Sequence, residues 1–246
     1  MAEYLDTSAG RKLAYHKTEG KGPGVVFLGG FMSDMSATKA IHLEDWARSQ
    51  GRAFLRFDYS GHGESSGAFA DGCIGDWAED ALEALSKLTE GPQILVGSSM
   101  GGWIALLLAR KLPKRVHALV GVAAAPDFTE DSMWPGLTDA QRAEILEQGQ
   151  TSLPNSYDDT PYILTRRLFE DGKAQLVLRT ALDLPFPVRL MQGTRDEAVE
   201  ISVPLRLCEH ATCPDLRLTF VKDADHRFST PECLGMITAA ISEVSK

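Results

Sequence analysis

The pentapeptide Gly97-Ser98-Ser99-Met100-Gly101 constrains this chain more than any other feature. Before it lies Gln93–Gly97, whose Ile-Leu-Val centre reads as a short buried strand. After it comes the apolar run Gly101–Leu112, which reads as a helix ended by Pro113. G-x-S-x-G between a strand and a helix demands a sharp, strained turn that lifts one hydroxyl above the edge of a sheet. Gly97 and Gly101, with Gly102 beside them, keep the neighbouring elements from colliding with that turn. The helix start that follows offers free backbone N–H groups and favours negative charge.

Around this turn, short β-rich runs alternate with helical patterns, as in a mainly parallel sheet with helices on both faces. An edge strand or hairpin is predicted through Arg11–His16, buried strands at Val25–Leu28 and Val116–Ala123, and further strands at Ala53–Phe57, Val188–Gly193 and Leu216–Val221. Thr38–Gln50 reads as a helix stopped by Gly51. A second helix is expected to start at Asp76, with Asp76 as cap, Glu79 reaching back, and Trp77, Ala81, Leu85 and Leu88 on one face. Further helices are predicted around Val203–His210 and from Thr230 to the C-terminus, and Asp58–Gly67 is a Gly/Ser-rich loop.

From Pro126 to Pro185 the alternation stops, and short helical pieces are predicted around Thr138–Gln148 and Pro161–Asp171. A stretch of that length inside an α/β pattern reads as a lid. The expected organisation is one α/β core built from residues 1–125 and 186–246, with a helical lid insertion over 126–185.

Charge narrows the partners. A formal net charge of −9 argues against binding nucleic acid or anionic lipid, both of which need clustered positive charge. No apolar run approaches the ~20 residues needed to cross a bilayer, so no membrane partner is expected. The first residues show no basic leader, which points to the cytoplasm, or to the mitochondrial matrix if a transit peptide has been removed. Cys73, Cys208, Cys213 and Cys233 are scattered and lack a second ligand pair, so neither a metal nor a disulfide framework is expected, and no cofactor.

A serine hydroxyl is a weak nucleophile and needs a base, which histidine supplies near neutrality. On a strand–turn–helix serine the partners follow in the order serine, acid, histidine. Asp196, in Gly193-Thr194-Arg195-Asp196, and His226, in Ala224-Asp225-His226-Arg227, both follow predicted strands, where ligand chemistry gathers in open parallel sheets. Glu197 is the neighbouring alternative, and the shorter side chain nearer the strand end is preferred. His16, His42, His117 and His210 read as surface or core residues, and His62 precedes the serine. The oxyanion of a tetrahedral intermediate needs preorganised donors. The expected pair is the backbone N–H of Met100 and that of Phe31, after Gly29-Gly30, with Met32 as the alternative to Phe31.

Gly22-Pro23-Gly24-Val25-Val26-Phe27, Arg56-Phe57-Asp58-Tyr59-Ser60-Gly61, Gly91 through Trp103, and Asp225-His226-Arg227 together resemble one branch of the α/β-hydrolase superfamily. That branch holds the mitochondrial palmitoyl-protein thioesterase, also described as an esterase of mycophenolic acid acyl-glucuronide. The resemblance runs over nearly the whole chain and is weakest in the lid. It implies the α/β-hydrolase fold, a triad falling on Ser99, Asp196 and His226, and hydrolysis of a small-molecule or acyl-protein ester or thioester through an acyl-serine. A peptidase, a carbon–carbon bond hydrolase and a non-catalytic binding protein are the alternatives on the same fold. An aspartate-nucleophile enzyme is disfavoured because Ser99 occupies the turn.

Met133, Trp134, Leu137, Leu153, Tyr157, Ile163, Leu164, Leu168 and Phe169 are candidates for an apolar acyl pocket, and half or more are equally expected to pack the lid onto the core. Met32, Trp134, Tyr157, Ile163 and Leu164 are the chosen substrate contacts. Arg166 and Arg167 read first as solvated helix-surface residues and second as contacts for a substrate carboxylate.

Overall fold

The computed structural model describes residues 1–154 and 161–246. Strands β1 (Glu3–Asp6), β2 (Lys12–Thr18), β3 (Lys21–Leu28), β4 (Arg52–Phe57), β5 (Gln93–Ser98) and β6 (Val116–Val122) precede a long connection. Helices α1 (Thr38–Ser49), α2 (Ile74–Leu88) and α3 (Met100–Lys111) run between them. The connection carries α4 (Trp134–Gly136), α5 (Asp139–Gln148), β7 (Gln150–Leu153), β8 (Tyr162–Thr165), α6 (Arg166–Ala174) and β9 (Leu182–Asp183). The chain ends with β10 (Val188–Gly193), α7 (Ser202–His210), β11 (Ala211–Thr212), β12 (Leu216–Val221) and α8 (Pro231–Glu243).

Eight strands form one sheet in the order β1-β2-β4-β3-β5-β6-β10-β12. β2 pairs antiparallel with β1 and β4, and every other pairing is parallel. The predicted edge hairpin is therefore present, with β1 outermost. The period-2 alternation of β3 divides the core. Val25 and Phe27 join the cluster of α1 and α8, where Ala40, Leu43, Phe228 and Ile237 are buried. Val26 and Leu28 join the cluster of α2 and α3, with Trp77 and Trp103 fully buried. Leu28, Gly97 and Gly121 pair side by side, so the C-terminal ends of β3, β5 and β6 lie level.

Two local expectations are corrected. The second helix begins at Ile74 after Cys73, not at Asp76. Asp76 lies within its first turn and pairs with Arg167, while Glu79 holds Arg11 at 2.7 Å instead of reaching back. The helix predicted over Pro161–Asp171 starts only at Arg166. Tyr162-Ile163-Leu164-Thr165, rich in aromatic and β-branched side chains, pairs antiparallel with Gln150–Leu153 instead. Thr165 then accepts the N–H of Leu168 and starts the helix there. In α5, Thr138 and Gln141 form a reciprocal capping box and Gly149 closes the helix in the left-handed conformation.

One side chain joins the two ends of the long connection. Asp127, fully buried and itself left-handed (φ 59°), accepts the N–H groups of Val177 at 2.8 Å and Leu178 at 2.9 Å. Arg179 completes the arrangement at 3.2 Å.

Candidate active site

The strand–helix turn adopts the predicted strained form. Ser99 has φ 54° and ψ −119°, a region sparsely populated by non-glycine residues and costing on the order of 1–3 kcal/mol. Surrounding bonds hold it there: its N–H donates to the Val122 carbonyl at 3.0 Å, and its carbonyl accepts the N–H groups of Gly102 and Ala125. A Cβ at position 101 would lie 2.0 Å from the Leu28 carbonyl oxygen, and one at 97 would lie 2.4 Å from the Gly101 oxygen. The motif glycines are thus required by backbone-to-backbone contact.

His226 and Asp196 meet this serine. His226 Nε2 lies 3.1 Å from Ser99 Oγ, and Nδ1 lies 2.8 Å from Asp196 Oδ2. A carboxylate accepts only, so Nδ1–H donates to Asp196, which leaves the Nε2 lone pair to accept from the serine hydroxyl. The Asp196 side chain is fully buried. Burial disfavours its charge, but the bond and charge of His226 and the N–H groups of Val199 and Ala198 outweigh that, so its pKa stays below the ordinary value. Glu197 lines the neighbouring cavity rather than the relay.

Sequence reasoning missed Gln192. Its amide donates to Asp196 Oδ2 at 2.7 Å and to the Val199 carbonyl at 3.1 Å. The available signal was a polar residue inside the otherwise apolar end of β10. The acid and imidazole loops are also stitched together, Arg195 N–H donating to the Ala224 carbonyl and Asp223 N–H to Thr194 Oγ1. Asp223 and Phe228, on either side of His226, are both left-handed without being glycine.

The loop after β3 faces the serine. A Cβ on Gly30 would sit 3.5 Å from Ser99 Cβ. Phe31 is fixed by aromatic neighbours: Phe69, Trp77 and Phe128 meet it edge-on at 4.8–5.9 Å between centroids. Met100 is the first residue of α3, where backbone N–H groups have no intrahelical acceptor.

A cavity of about 1600 Å³ opens over Ser99 and His226. Met32, Phe31, Phe128, Met133, Leu153, Tyr162 and Leu164 form apolar parts of its wall, and Asp34, Lys39, Glu197, Glu200, Arg206 and Glu209 bring charge. Of the predicted substrate contacts, Met32 and Leu164 line it. Trp134 does not: its ring packs edge-on against Phe169 at 5.0 Å. Ile163 lies opposite Ser152 in the β7–β8 hairpin and is also outside the lining. Leu137, Leu168 and Phe169 are buried in the core, and Tyr157 lies outside the described residues. Phe128 and Tyr162, which sequence reasoning passed over, take their place. Arg166 bonds the Ile145 carbonyl and Arg167 pairs with Asp76, so neither reaches the cavity.

Other histidines serve structure. His117 and His210 meet backbone carbonyls through Nε2. His62 is buried among Tyr59, Phe69 and Trp77, donates Nδ1–H to the Ser60 carbonyl at 3.1 Å, and has its pKa pushed down to about 4 by burial. The four cysteines are free thiols, and among the described residues no group of three or more His, Cys, Asp or Glu side chains could hold a metal ion.

Comparisons with known proteins place the chain in a family. The model of the alpha/beta hydrolase fold family matches residues 25–168. The palmitoyl-protein thioesterase ABHD10, mitochondrial, of Rattus norvegicus is 35% identical over 94% of this chain and 78% of its own length. The human protein of that name is 33% identical over 94% of this chain and 76% of its own length. A crystal structure of a protein from Agrobacterium vitis S4 superposes with TM-score 0.95 at 40% identity, covering 100% of this chain and 99% of the other. Mouse alpha/beta hydrolase domain-containing protein 10 superposes with TM-score 0.91 at 33% identity, covering 99% and 98%. The chain belongs to the α/β-hydrolase fold family and, within it, stands with the relatives of the thioesterase ABHD10.

Proposed function

We propose that this hydrolase cleaves carboxylic esters or thioesters through an acyl-serine intermediate, with Ser99 as nucleophile, His226 as general base and Asp196 as its orienting acid. The observation that carries the reading is the continuous relay from Ser99 Oγ through the imidazole to a buried carboxylate. As Oγ attacks the acyl carbon, its proton passes to Nε2, and the carbonyl oxygen gains negative charge. The backbone N–H groups of Met100 and Phe31 receive that charge. Collapse expels the alcohol or thiol, which takes the proton from Nε2. Water, deprotonated by the same nitrogen, then releases the carboxylic acid and regenerates the serine.

The apolar wall of the cavity suits an acyl chain. The relatives named as palmitoyl-protein thioesterases support acyl thioesters, including acylated proteins, as the substrate class. Ser99→Ala should abolish both turnover of an acyl thioester and labelling by a fluorophosphonate while leaving the thermal transition in place. Undiminished labelling of that variant would remove Ser99 from the mechanism. Initial rates on matched oxygen esters and thioesters across acyl lengths would then fix the preference.

A further inference from the structure

Lys39 stands in the first turn of α1, immediately after the loop that carries Phe31 and Met32. A cation there opposes the helix dipole, and that turn contains no acidic residue to offset it. Its ammonium is partly buried, and that burial lowers its pKa to about 8, Asp225 opposing the change and Arg227 adding to it. Its partner is not a carboxylate. Nζ donates to the backbone carbonyl of Arg227, the residue directly after His226. Ser229 Oγ, from the same loop, donates to that carbonyl at 2.8 Å. A lysine in so unfavourable a place, reaching across to the imidazole loop, calls for a reason beyond solubility.

The loop itself supplies one. It places His226 between two non-glycine residues in the left-handed region, Asp223 and Phe228. Such conformations persist only where the surroundings over-determine them. Phe228 is buried beside α1 and α8 and anchors one side. The Lys39 bond anchors the backbone on the cavity side, since Lys39, Arg227, His226 and Ser99 all line the same space. Nε2 is already 3.1 Å from Ser99 Oγ, close to the limit for proton transfer, so a small outward shift of the loop breaks the relay.

We propose that Lys39 is a positioning residue: by clasping the Arg227 carbonyl it holds the imidazole in register with the loop that carries Phe31. This rests on the acyl-serine reading above. The clasp acts on the transition state rather than on ground-state binding, so its loss falls on kcat.

The test compares wild type, Lys39→Met, which keeps the length and removes the donor, and Lys39→Arg, which restores a cationic donor. Each is measured for steady-state thioester hydrolysis, fluorophosphonate labelling rate and thermal transition. Lys39→Met should lose about 10- to 100-fold in kcat and slow in labelling to match, with KM within about twofold of wild type. Its thermal transition should be unchanged, and Lys39→Arg should recover most of the rate. Should Lys39→Met not fold, Lys39→Leu, shorter and likewise without a donor, gives the same reading. A donor-free variant with kcat within about twofold of wild type overturns the inference. So does a rise in KM at constant kcat, which would make Lys39 a substrate contact, and so does equal impairment of Lys39→Arg. Wild type that resists labelling altogether would instead sink the acyl-serine reading, which separates the two failures.

Discussion

Gly101→Ala tests whether the turn glycines are required by space. The added Cβ would lie 2.0 Å from the Leu28 carbonyl oxygen and 2.6 Å from that of Gly29. Both are backbone atoms at the end of β3, so no side-chain rotation relieves them. The shorter contact is about 1 Å inside the closest approach a Cβ makes, so α3 and β3 must separate by roughly that amount. These elements carry Ser99 and the Phe31 loop. A misplacement of about 1 Å costs on the order of 10²-fold in rate. Overpacking against an unyielding backbone should cost about 3 kcal/mol, at the upper end of the usual range. In a chain of this size, that lowers Tm by about 6–12 °C. The assay pairs calorimetry with thiol release from an acyl thioester. Gly235→Ala serves as the control: its Cβ would meet nothing within 4 Å, inside helix α8, so it should stabilise by about 0.5–1 kcal/mol. Gly101→Ala with wild-type Tm and wild-type kcat would refute the steric account of the motif.

Asp196→Asn should keep the fold and reduce kcat by on the order of 10³–10⁴, because the amide no longer requires a proton on Nδ1; an unimpaired variant in stopped-assay kinetics would pass the orienting role to another acid. His62 should make the protein sensitive to acid. Its folded pKa of about 4 lies below the unfolded value near 6.5, so the unfolded chain takes up the proton first. Its contribution is complete above about pH 6.5 and is lost as pH falls towards 4, amounting to about 2 kcal/mol between pH 7 and pH 5. Denaturant midpoints should show that slope in wild type and a shallower one in His62→Phe; equal slopes would assign the acid sensitivity elsewhere.

The parts of this molecule legible in the sequence are those where local chemistry and topology coincide. The apolar runs flanking Ser99 read as strand and helix because the first is buried throughout within the sheet and the second is buried from Met100 to Ala109. Asp196 and His226 could be placed because parallel strands deliver their following loops to one edge. Tyr162–Thr165 misled for the opposite reason: four residues before a helix carry no period, and only pairing with Gln150–Leu153 makes them a strand. Asp76 looked like a cap by composition, yet its carboxylate answers to Arg167, far away in sequence. Trp134 and Ile163 were apolar and in the right segment, but whether a side chain faces cavity or core depends on partners such as Phe169, which no pattern reveals. Lys39 was invisible for the same reason, since it bonds a carbonyl of a loop distant in sequence, whereas Gln192, whose partners lie four and seven residues on, was marked only by being polar at the apolar end of β10.

The Asp127 carboxylate has a consequence for how this protein can change. It draws residues 127 and 177–178 together at the neck of the long connection. With the neck tied, the cost of closing the path grows only slowly with its length. Residues can be gained, lost or exchanged beyond that knot without pulling on β6 or β10. The cavity wall built from that connection can drift quickly through evolution, while Ser99, Asp196 and His226 stay where they are.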